Sequence, residues 1–195
     1  MVYPTSNPHP NFSAHDSEPL VAGDIINLDI ALYVPFELAG TSYHGDTSTT
    51  IPVGGLDKIS RESATLIKAT KEALEAGIGA CGPDRPYNGI GNAIANVAEK
   101  YQLQIVADLS GHGVGKEYHG YPLILHFAND DPGEMSPGTI FTIEPCLSEG
   151  SGEFIVDNRE NWSLYALDGA RATQEEHTVM ITETGVDVLT SLNKA

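Results

Sequence analysis

Five residues in this chain have types and settings that suit metal chemistry. They are Asp29 in Asn27-Leu28-Asp29-Ile30, Asp46 in His44-Gly45-Asp46-Thr47, His112 in Gly111-His112-Gly113-Val114-Gly115, Glu144 in Thr142-Ile143-Glu144-Pro145, and Glu176 in Glu175-Glu176-His177-Thr178. Four carboxylates and one imidazole form a donor set for two hard or borderline divalent ions. Four negative charges against two dications leave such a site near neutral, and a water between the ions becomes a nucleophile at neutral pH. A single Asp on a strand is ordinarily a solvated surface group. Asp29, Glu144 and Glu176, however, each stand in apolar or β-rich text, where an unpaired carboxylate is costly and a metal compensates. The glycines beside His112 suggest a ring that can be approached without side-chain crowding.

The elements that must position these residues can be read from periodicity. Ile26, Leu28, Ile30 and Leu32 alternate with Asn27, Asp29, Ala31 and Tyr33. The pattern predicts a strand with one buried apolar face and one face carrying Asp29. A second strand over 43–53 carries Asp46 and completes a hairpin. Residues 57–80 and 87–101 read as helices, with Leu66, Ile67, Thr70, Ala73 and Leu74 on one face of the first and Ile90, Ile94 and Val97 on one face of the second. A short strand is expected over 104–107, then the glycine-rich segment around His112. Strands are expected over 138–144, 174–182 and 186–190, with a polar loop or long hairpin over 148–171. This order implies an α+β fold with an antiparallel sheet. Residues 1–20 read as an extended lead-in, and 21–195 as one catalytic domain.

The composition excludes several functions. With 27 acidic and 10 basic residues, the formal charge is −17. No basic cluster is present for nucleic acid or an anionic membrane surface, and no apolar run reaches transmembrane length. The first residues lack the basic and apolar regions of a secretory signal. Cys81 and Cys146 are isolated, which fits a reducing compartment and no zinc finger. The expectation is a cytoplasmic protein. The matches to the glycosylation pattern at Asn11 and Asn161 are of the length that chance supplies. Gly111 to Lys116 is followed by Glu117, so it lacks the Ser/Thr of a phosphate loop and has no βαβ setting for a dinucleotide.

Taken together and in order, the five segments resemble type I methionine aminopeptidase, within the wider M24 or pita-bread metallopeptidases. The similarity runs from about Pro19 to Thr190 and includes the closing stretch Ile181-Thr182-Glu183-Thr184-Gly185-Val186. The resemblance implies a pita-bread fold and removal of N-terminal methionine from nascent polypeptides. It implies that Asp29 chelates one ion, that Asp46 and Glu176 bridge two, and that His112 and Glu144 complete the second. The ions could be Co, Mn, Fe or Zn. By the same resemblance Glu144 shuttles protons, His119 contacts the scissile amide, and Tyr118 and Trp162 wall the methionine pocket. A monomer is the family expectation.

Two departures stand out. Only about twenty residues precede Gly23, where the family has the first half of a pseudo-twofold fold. The expectation is therefore an incomplete first half, an exposed apolar sheet face that a dimer or a complementing chain could cover, and weak or absent activity of the isolated chain. A family histidine also belongs to that region: His15 is its suggested counterpart, with His9 as the alternative and a solvated tail histidine as the bland reading. The hairpin between Asp29 and Asp46 is several residues longer than usual around Phe36 to Ala39, a tolerable surface insertion. The alternatives are a Pro-directed relative such as aminopeptidase P or prolidase, which Glu176-His177-Thr178 disfavours, and a non-catalytic binding protein of the same fold.

Overall fold

The computed structural model describes residues 19–35, 40–156 and 164–191. His9, His15, Trp162, both glycosylation patterns and the Phe36–Ala39 insertion lie outside them.

Strand β1 (Ile25–Val34) pairs antiparallel with β2 (Tyr43–Pro52), with Asp29 opposite Ser48 and Ala31 opposite Asp46. Alternation puts Asn27 and Asp29 on the same face of this ribbon as Asp46, Ser48 and Thr50. The last three are buried. The other face corrects the expectation of a buried apolar side: Leu28, Ile30 and Leu32 are 43%, 61% and 62% exposed. Among the described residues β1 pairs with β2 alone, and the apolar row is left to solvent.

Helix α1 (Arg61–Gly79) begins four residues later than periodicity suggested, because Ser60 is the cap: its Oγ accepts the Ser63 amide at 3.0 Å. Helix α2 (Asn88–Tyr101) ends where Gln102 takes a left-handed conformation, φ 57°. Leu66, Ala69, Ala73 and Leu74 of α1 join Ile90, Ile94 and Val97 of α2 in the main core.

Strands β3 (Gln104–Ile105), β4 (Gly111–Gly113), β5 (Gly120–Ile124), β6 (Ile140–Ile143), β7 (Cys146–Ser148), β8 (Phe154–Val156), β9 (Leu164–Ala166), β10 (Ala172–Gln174), β11 (His177–Ile181) and β12 (Val186–Val188) complete the described residues. Instead of one sheet, the described residues form four small ones. A five-stranded sheet has the order β12-β11-β6-β4-β5, a three-stranded sheet the order β10-β7-β3, and β1-β2 and β8-β9 are ribbons. Every pairing is antiparallel. Phe141 and Ile143 of β6 and Val179 and Ile181 of β11 are fully buried in the helix-side core. Alternation turns Thr142 and Thr178, cross-strand partners in register, to the opposite face.

The strand expected over 174–182 is two strands in two sheets. The chain leaves the three-stranded sheet at Gln174 and enters the five-stranded one at His177. Glu175 and Glu176 occupy the crossing, where the Glu176 amide donates to the Ser48 carbonyl of β2 at 2.9 Å. Among the described residues no helix is long and apolar enough to cross a membrane.

Candidate metal centre

The β1–β2 ribbon, the five-stranded sheet and the loops beside it meet at one cavity of about 370 Å³, lined by Asp29, Asp46, Asp108, Leu109, Ser110, His112, Tyr118, His119, Leu123, Glu144 and Glu176. The ribbon contributes the two aspartates and the five-stranded sheet His112. Glu144 follows β6 with the same parity as Thr142, and Glu176 precedes β11 with the same parity as Thr178. Two threonines tie the strands together there. Thr178 Oγ1 donates to the Asp46 carbonyl at 2.7 Å, and Thr47 Oγ1 donates to the Glu176 carbonyl at 2.8 Å.

Asp46, His112 and Glu176 are all buried, and each places one ligand atom within 4.8 Å of the others. His112 Nε2 is 3.7 Å from Asp46 Oδ2 and 3.5 Å from Glu144 Oε1. His112 Nδ1 lies 3.2 Å from the Gly113 carbonyl. A proton on Nδ1 serves that contact and leaves the Nε2 lone pair facing the carboxylates. Asp29 lines the same cavity from the ribbon.

The glycines around His112 have a different reason from the one suggested by sequence. A Cβ on Gly111 would overlap the Thr142 carbonyl oxygen, and one on Gly113 the Tyr121 carbonyl oxygen. Close strand approach, rather than access to the ring, demands them.

The electrostatics are those of too many carboxylates in too little water. Burial, then Glu144, Asp46 and Asp29, pushes the Glu176 carboxyl up to about 9. Burial pushes Glu144 up to about 7, with Asp46 and Asp29 adding to the rise and the Thr142 hydroxyl and Gln174 amide opposing it. Asp29 is raised by burial and by Asp46. His112 is lowered, chiefly by burial. Burial and a hydrogen bond to Asp46 hold the Tyr118 phenol above its usual range. Asp46 Oδ1 and Glu176 Oε1 are buried without a hydrogen-bond partner. Orphaned carboxylate oxygens are expensive, and a divalent cation is the partner this donor set suits. The residues therefore fit a metal.

His119 packs edge-on against His112 with ring centroids 4.4 Å apart, and Tyr118 lies 5.7 Å from His112. Both line the cavity. Sequence reading missed the groups that hold Glu144. Thr142 Oγ1 donates to its Oε1 at 2.8 Å, and Gln174 Nε2 donates to its Oε2 at 3.2 Å. It also missed His126, whose Nε2 accepts the Glu144 amide at 3.1 Å. For Thr142 a signal existed: it stands two residues before Glu144, on the same strand face.

The model of metallopeptidase family M24 matches residues 4–183. Mouse (Mus musculus) mitochondrial methionine aminopeptidase 1D is 41% identical over 177 residues, 91% of this chain and 50% of that protein. The crystal structure of methionine aminopeptidase from Rickettsia prowazekii matches with a TM-score of 0.83 and 30% identity, covering 90% of this chain and 68% of that one. Prolidase from Pyrococcus furiosus, at 22% identity and a TM-score of 0.69 over 92% of this chain and 44% of that one, shares the fold. The chain spans about half the length of the curated relatives it matches. The α+β architecture is the pita-bread fold of these structures. With a family match over most of its length, and with carboxylates and an imidazole meeting where its sheets converge, the chain belongs to metallopeptidase family M24.

Proposed function

We propose that this chain is a metal-dependent aminopeptidase that removes N-terminal methionine from nascent polypeptides. The observation that carries this reading is the buried Asp46–His112–Glu176 cluster with its orphaned carboxylate oxygens, in a chain similar to methionine aminopeptidases. Asp29, Asp46, His112, Glu144 and Glu176 would hold two divalent ions (Co, Mn, Fe or Zn). When bound, the ions supply Lewis acidity that lowers the pKa of a water.

The chain's own residues do the rest. Glu144, held by the Thr142 hydroxyl and the Gln174 amide, takes a proton from the attacking water and hands it to the leaving amine. His119 donates a hydrogen bond to the scissile carbonyl as negative charge develops there. Tyr118 walls the side-chain pocket, a role that Trp162 would share. His15 would contact the substrate from the 1–20 lead-in to a catalytic domain over 21–195. The partner is a peptide N-terminus, with no nucleic acid or membrane. The proposed compartment is the cytoplasm, supported by two buried free thiols; some relatives are named mitochondrial or chloroplastic.

The test is metal analysis of the purified chain together with methionine release from Met-Ala-Ser. Asp46→Ala and Glu176→Ala should each lose bound metal and turnover. Retained release in either variant would sink the mechanism. Parallel X-Pro substrates separate the prolidase-like alternative.

A further inference from the structure

His126 interrupts the apolar run Leu123-Ile124-Leu125-His126-Phe127 and is 0% exposed. A buried imidazole needs partners for both nitrogens. Nδ1 is 3.3 Å from the Leu109 carbonyl, and Nε2 is 3.1 Å from the Glu144 amide. One tautomer satisfies both: Nδ1–H donates to Leu109, and Nε2 accepts from Glu144.

Each partner has a bearing on the cavity. The β6–β11 register ends at Ile143 opposite His177, and Pro145 follows Glu144. The Glu144 amide therefore lies one residue beyond the ladder, where His126 receives it. Leu109 belongs to the 108–110 wall of the same cavity. The imidazole thus joins the backbone of the wall to the backbone of the carboxylate it faces. Its own position is tightly set. A Cβ on Gly91 of α2 would sit 2.6 Å from the Leu125 carbonyl oxygen and would overlap that of Phe127. The helix backbone therefore presses on both residues flanking His126. Thr142 and Gln174 hold the tip of Glu144; His126 holds its root.

We propose that His126 is a positioning residue, which fixes Glu144 relative to the opposite wall of the cavity without touching substrate. This rests on the reading of Glu144 as ligand and proton carrier. Misplacing a reacting group by about an ångström costs on the order of a hundredfold in rate, so loss of this tether should act on kcat.

The experiment compares two amide variants of the full chain. In His126→Gln the side-chain oxygen can replace Nε2 and keep the Glu144 bond. In His126→Asn the amide NH₂ can replace Nδ1–H and keep only the Leu109 bond. The first readout is the visible spectrum of the Co²⁺-loaded protein, which reports ligand geometry without substrate. The second is kcat and KM on Met-Ala-Ser. Expected are a shifted Co²⁺ spectrum and a kcat lower by about tenfold to a hundredfold in His126→Asn, with KM little changed, and near-restoration of both in His126→Gln. An unaltered spectrum in His126→Asn overturns the proposal whatever the turnover. So does equal loss in both variants, or failure of both to fold, since the ring then serves the fold alone. A shifted spectrum in His126→Asn restored in His126→Gln, in a chain that releases no methionine, upholds the tether and rejects the aminopeptidase reading.

Discussion

At the scale of residues, the site is governed by carboxylates that burial prevents from ionising together. In the metal-free chain the Glu176 carboxyl stands near 9, against an ordinary 4.5. The folded state therefore holds this proton more tightly than the unfolded state does. That contribution is fully present below pH 4.5 and is lost as pH rises through about 9. Between pH 7 and 9 the metal-free chain should lose about 2–3 kcal/mol of stability from Glu176. Denaturant titration at the two pH values checks this, and saturating Mn²⁺ should reverse the loss at pH 9. Replacing the hydroxyl beside Glu144 is a second test. Thr142→Val leaves the His112 amide and a Glu144 oxygen without their partner and should cost about 1–3 kcal/mol, measurable as a lower denaturation midpoint. Asp46, His112 and Glu176, which the structure brings together, were legible in sequence because each stands in a short patterned segment. The threonine and glutamine that hold Glu144 were not, because such residues are common and only contact distinguishes them.

At the scale of elements, close backbone approach sets the site's dimensions. Gly113→Ala puts a Cβ into the Tyr121 carbonyl of the adjoining strand. It should force β4 and β5 apart, lower stability by about 1–3 kcal/mol, and weaken metal retention by moving His112. Thermal melts with and without Co²⁺ would separate the two effects. Helices and the ribbon were readable from periods of 3.6 and two. The break between β10 and β11 was not: Ala172 to Ile181 is uniformly strand-like text, and the change of sheet depends on what lies on either side. That change is what delivers Glu176 to the cavity while Glu175 turns to Thr49 and Thr50.

At the scale of the whole molecule, an acidic chain carries one uncharged apolar row, Leu28, Ile30 and Leu32, on the outer face of the ribbon whose inner face bears Asp29 and Asp46. Exposed rows of this kind promote association. The chain should self-associate with rising concentration in sedimentation velocity, and Ile30→Glu with Leu32→Glu should return it to monomer while leaving metal content unchanged. Concentration-independent sedimentation of the unaltered chain would refute this.

Sequence alone determined the two helices, the hairpin and the short segments that carry the candidate ligands, since residue type and local period are one-dimensional properties. Tertiary structure decided that the ribbon and the five-stranded sheet meet at one cavity, that Asp46, His112 and Glu176 close to within 4.8 Å, and that the apolar face of β1 is open. It also decided that His126 spans from Leu109 to Glu144. The physical reason is that burial and desolvation depend on neighbours distant in the chain. Asp46, His112 and Glu176 become a candidate metal-binding group only where the fold denies them water.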